Sequence, residues 1–92
     1  MRTKTNYQVS KEVRAYWDEN EIVSGILFSK QVLELRAMME VEERSELELQ
    51  DLRDFLVCSL GKTDEYDPKD LDCMSACTGV VDQEKSNRGM PI

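Results

Sequence analysis

Three cysteines, Cys58, Cys73 and Cys77, are the residues of this chain best suited to chemistry, followed by five acids between Asp64 and Asp72. Cys73 and Cys77 are four residues apart, so on a helix they share one face. With Cys58 from a neighbouring helix they would supply three thiolates of a tetrahedral metal site. The fourth ligand would have to be a carboxylate such as Asp72, because the chain has no histidine. One C-x-x-x-C is a weak metal signal, and three reduced thiols packed as small apolar side chains is the plainer expectation. An odd number of cysteines argues against a disulfide framework, and a cysteine nucleophile would lack its usual histidine base.

The acids Asp64, Glu65, Asp67, Asp70 and Asp72 lack the D-x-D-x-D-G spacing of a calcium loop. Pro68 would also start a helix where such a loop should turn. Gly25 and Gly61 stand alone, so there is no glycine-rich phosphate cradle. The expectation is a chain that is not an enzyme and uses no cofactor.

The elements that would position these residues are helical. Phe28, Val32, Leu35 and Met39 recur at helical spacing and predict a core stripe. Ile22, Ile26, Leu33 and Ala37 form a second apolar ridge on roughly the opposite side of the same helix. Ser45 followed by Glu48 predicts a capping box at the start of a second helix, whose stripe is Leu49, Leu52, Phe55, Leu56 and Leu60. Gly61 is expected to close that helix in a left-handed C′ position. These two segments, about 22–43 and 45–60, predict a central helical hairpin.

Flanking helices are expected near 9–20, with Ser10 as N-cap, and near 67–78, started by Asp67-Pro68 and closed by Gly79. Tyr16 and Trp17 should lie in the core. Gly25 weakens the helical reading of 22–28, which could instead be extended. The predicted fold is all-α, a small helical bundle occupying 1–79, with 80–92 as a flexible C-terminal tail.

At 92 residues the chain should bury only roughly 60–65% of its unfolded surface. No apolar run is long enough for a membrane span, and the polar N-terminus lacks the apolar core of a signal peptide. A soluble, cytoplasmic protein is expected.

The net charge is −7 and it is uneven. Residues 1–14 carry four bases against Glu12, whereas 40–54 carry seven acids against Arg44 and Arg53. Four positive charges on so acidic a chain make a poor nucleic-acid binder, so no direct nucleic-acid contact is expected. Small, acidic, cofactor-free helical chains often regulate or inhibit a larger macromolecule. The expected partner is therefore another protein, bound through an acidic helical surface for which Glu43, Leu47, Asp51, Asp54, Asp64 and Glu65 are the candidates. A narrower version is a nucleic-acid mimic, its carboxylates occupying the groove of a nucleic-acid-binding protein. A cysteine-based metal protein is the reading from a different class. The ridge of Ile22, Ile26, Leu33 and Ala37 is the candidate for self-association as a homodimer.

Overall fold

The computed structural model describes residues 4–21 and 29–90, and these form four helices. They are α1 (Asn6–Glu19), α2 (Ser29–Met39), α3 (Glu46–Leu60) and α4 (Pro68–Asn87). The all-helical small bundle is what the periodicity predicts. Ile22, Ile26, Phe28 and the choice between helix and strand for 22–28 lie outside the described residues.

The helix α1 begins earlier than expected, because Thr5 rather than Ser10 is its cap. The Gln8 N–H donates to Thr5 Oγ1 at 3.1 Å, and the Thr5 N–H donates to Gln8 Oε1 at 3.0 Å. This is a complete capping box, four residues upstream of the expected start. Val9, Val13 and Trp17 then fall on one face and are buried.

The helix α2 stops at Met39, short of the expected 43. Glu40 takes a left-handed backbone (φ 56°), its N–H reaching the Ala37 carbonyl and that of Val41 the Arg36 carbonyl. Those two bonds make a Schellman motif with glutamate where glycine is usual. Val41 is fully buried just past the turn. Arg44, 4% exposed, donates from Nε to the Met39 carbonyl at 2.9 Å and from Nη2 to the Lys4 carbonyl at 3.3 Å. Buried contacts, not glycine or proline, therefore shape this connection.

The start of α3 is as predicted, with Ser45 and Glu48 capping each other reciprocally. Leu49, Leu52 and Leu56 are fully buried. Gly61 does end the helix but has φ −75°, so the left-handed turn expected there does not form.

Two corrections concern the far half of the chain. The tail expected from Val80 is instead the second half of α4, and Val80, Val81, Glu84 and Lys85 are buried. Gly79 does not close the helix; it is exposed inside it. The true stop is Gly89 (φ 75°), where the Gly89 and Met90 N–H groups reach the Ser86 and Lys85 carbonyls in a second Schellman motif.

The bundle is also paired differently from the expected hairpin. The most extensive packing is α3 on α4, while α2 lies against α1 and α4 and not alongside α3. Cross-helix polar contacts follow the same pattern. Tyr16 on α1 donates its hydroxyl to Glu34 on α2, and that bond, with burial second, pushes its pKa up to about 12. Arg36 on α2 meets Glu84 on α4, Arg53 on α3 meets Asp82 at 2.7 Å, and Arg14 on α1 meets Asp70.

Candidate partner-binding surface

Several cations of this acidic chain are tied to acids on neighbouring helices. Asp18 pairs with Lys69 and with Arg14, and Lys69 chiefly holds its carboxyl below the ordinary range. Glu84 receives Arg36 and Arg88, and those two guanidiniums, Arg88 foremost, depress its pKa. Arg88 also donates from Nη2 to the Val41 carbonyl at 2.9 Å, pinning the 40–45 connection to the end of α4.

Most of the charge that remains outside is acidic, although Lys11, Lys30 and Lys62 are exposed as well. Glu43, Asp51, Asp54, Asp64 and Glu65 are all exposed, and none forms an ion pair among the described residues. Leu47, Asp51 and Asp54 lie on the outward side of α3, with Leu47 79% and Val57 45% exposed on the same helix. Asp54 is fixed from beneath. Lys85 Nζ, on a residue only 2% exposed, donates to Gln50 Oε1 at 2.7 Å, and Gln50 Nε2 donates to Asp54 Oδ1 at 2.8 Å. Asn6 Nδ2 donates to the Asp51 carbonyl at 3.2 Å, tying the start of α1 to the middle of α3.

The candidate residues do not make one cluster. Glu43 and Leu47 belong to the first turn of α3 and the connection before it. Asp51 and Asp54 sit one to two turns further along. Asp64 and Glu65 are in the loop before α4, next to Tyr66, which packs against the core. A cleft of about 260 Å³ lies between α1, α3, this loop and the start of α4, with Tyr7, Phe55, Tyr66 and Met74 among its walls. Four separate elements contribute to it, so no single spacing in the sequence pointed to it. Tyr7, 68% exposed, was the nearest sequence signal, as an aromatic off the buried stripe of α1.

Compared with family models, with curated proteins and with solved structures, the chain matches none. The cysteines are not gathered into a site: Cys58 is exposed, whereas Cys73 and Cys77 are buried. Burial pushes both buried thiols up to about 12, which keeps them protonated near neutrality. Among the described residues no group of three potential ligands is placed to hold a metal ion. Of the self-association ridge, Leu33 (64% exposed) and Ala37 face outward from α2, while Ile22 and Ile26 are outside the described residues. No helix among the described residues is long and apolar enough to cross a membrane.

Proposed function

We propose that this chain is a small regulatory or inhibitory protein that binds another protein through the outer face of α3 and the loop before α4. The reading involves no catalysis and no cofactor. The observation that carries it is the segregation of charge: Arg14, Arg36, Arg53 and Lys69 are tied to acids on other helices, while Asp51, Asp54, Asp64 and Glu65 face outward with no ion pair among the described residues, Lys62 being an exposed cation of the same loop. Leu47, standing exposed among those acids, favours a protein surface over a bare mimic of a phosphate backbone. A partner with a basic patch would gain rate and specificity from this field, and binding would weaken with salt.

Affinity capture from a lysate at low and high salt tests the reading, with the wild type beside Leu47→Ala combined with Asp51→Asn and Asp54→Asn. The expected result is a defined set of basic-surfaced proteins retained by the wild type and lost by the variant. The same set on both baits overturns it. Pairing of two copies through Leu33 and Ala37 is proposed alongside, and sedimentation of the wild type beside Leu33→Glu tests it. A wild type that stays monomeric at working concentrations ends that proposal.

A further inference from the structure

Resting on that reading, we infer that the cleft between α1, α3, the 61–67 loop and the start of α4 is the anchor pocket of the surface. Its occupant is a large aromatic side chain, tryptophan fitting best, on a partner segment that carries lysine or arginine on either side. Size is the first argument. At about 260 Å³ the cleft is smaller than the roughly 300–1,000 Å³ of small-molecule and cofactor sites, and it suits one large side chain.

Chemistry is the second argument. Tyr7, Phe55, Tyr66 and Met74 offer aromatic and thioether surface, against which another ring packs with offset or edge-to-face geometry. The Ser10 hydroxyl, buried in the α1 wall, has no hydrogen-bond partner among the described residues, and on turning toward the cleft it would accept an indole N–H.

Charge around the cleft is the third. Phe55 follows Asp54 directly and lies one turn beyond Asp51, while Tyr66 follows Asp64 and Glu65. Two walls of the cleft are thus carried by the same short stretches that present the unpaired carboxylates. Across the cleft, Arg14 is already held by Asp18 and Asp70, which leaves Lys11 as a cation of that rim with no ion pair among the described residues. The cations of the bound segment therefore run along α3 and past Asp64 and Glu65, away from Lys11 and from the exposed Lys62 at the start of the loop. An aromatic anchor in a pocket with charge at the rim is the usual division of labour in an interface.

The probe is a short amidated peptide with one tryptophan between lysine pairs, and its control has alanine in place of the tryptophan. Both are titrated into the full chain at low salt, while backbone amide shifts are followed by NMR. The tryptophan peptide is expected to bind roughly tenfold or more tighter than the alanine control, a truncation loss typical of an interface anchor. Shifts should centre on Tyr7, Ser10, Phe55 and Tyr66. Tyr7→Ala, at an exposed position outside the core, should erase the difference between the peptides without unfolding the protein. Lys11→Glu should tighten both. Equal binding of the two peptides, with shifts along α3 alone, overturns the anchor pocket and leaves the acidic-surface reading intact. No binding by either peptide also overturns the pocket, whatever the capture experiment returns.

Discussion

Where α2 crosses α4, Arg36 and Arg88 close on the Glu84 carboxylate, whose side chain is only 9% exposed. Along the outer face of α3, Asp51 and Asp54 form no ion pair among the described residues. The same residue types are used in opposite ways, and desolvation decides which. A carboxylate removed from water must find compensating charge and hydrogen bonds, so its partners are fixed by the fold. An exposed carboxylate is satisfied by water and imposes nothing on its neighbours, which leaves it free to meet another molecule. The two regions should therefore respond very differently to mutation.

The largest effect should come from Glu84→Ala, which leaves Arg36 and Arg88 facing each other without their shared counter-charge. Removing one member of a buried pair costs ~3–5 kcal/mol, and the value here should fall toward the lower end because Arg36 also reaches Glu42 at 3.4 Å. Urea unfolding at neutral pH measures it, and a loss below about 1 kcal/mol would break the comparison, since ordinary surface changes are of that size. The pH dependence follows from the same group. Its folded pKa is depressed below the ordinary 4.5, so its contribution is present above that value and lost as pH falls through the folded pKa. Glu84→Gln should therefore flatten the acid side of the stability profile and leave the alkaline side unchanged.

A middle-sized effect belongs to Gln50, which joins the two regions. It gives the buried Lys85 its acceptor from one end and holds the exposed Asp54 with the other. Gln50→Leu should cost ~1–3 kcal/mol, the penalty for stranding a buried polar group. Asp54→Ala, which removes only the outer bond, should not reproduce it.

Glu40 shows a third use of an acid, in which the backbone matters and the carboxylate does not. Glu40→Gly should stabilise by about 1 kcal/mol, because a left-handed conformation is costly for a residue with a Cβ and free for glycine. A destabilised variant would mean that its charge has a structural role after all.

These contrasts also explain what could be read in advance. Ser45 with Glu48, Asp67 with Pro68, and the stripe of Leu49, Leu52 and Leu56 act within a few residues, and such local signals were legible. The box of Thr5 and Gln8 is equally local but stands apart from the apolar stripe it serves, which begins only at Val9. The second half of α4 was hidden for a physical reason. Its core-facing positions include Glu84 and Lys85, buried with partners from α2 and α3, and a search for apolar periodicity discounts both. The pairing of α2 was out of reach in a similar way, since a stripe tells which side is buried and not which helix covers it. Of the surface, the exposed acids were legible one by one. The cleft beside them was not, because Tyr7, Phe55 and Tyr66 meet only after three elements have packed.

The smallest expected effect is the one that matters most for the functional reading. Asp51→Asn with Asp54→Asn should change stability by no more than about 0.5 kcal/mol in either direction, as is usual for exposed positions without buried partners. Asparagine keeps an acceptor for Gln50 Nε2 and leaves the Asp51 backbone carbonyl available to Asn6, so both local bonds survive. Removing two negative charges from a strongly acidic chain should, if anything, relieve repulsion with Glu43, Glu46 and Glu48. A melting temperature equal to or slightly above the wild type is therefore expected, together with loss of the captured partner. If the double variant instead unfolds readily, these carboxylates are part of the fold in the way Glu84 is. The distinction between a structural and an outward-facing set of charges would then be lost.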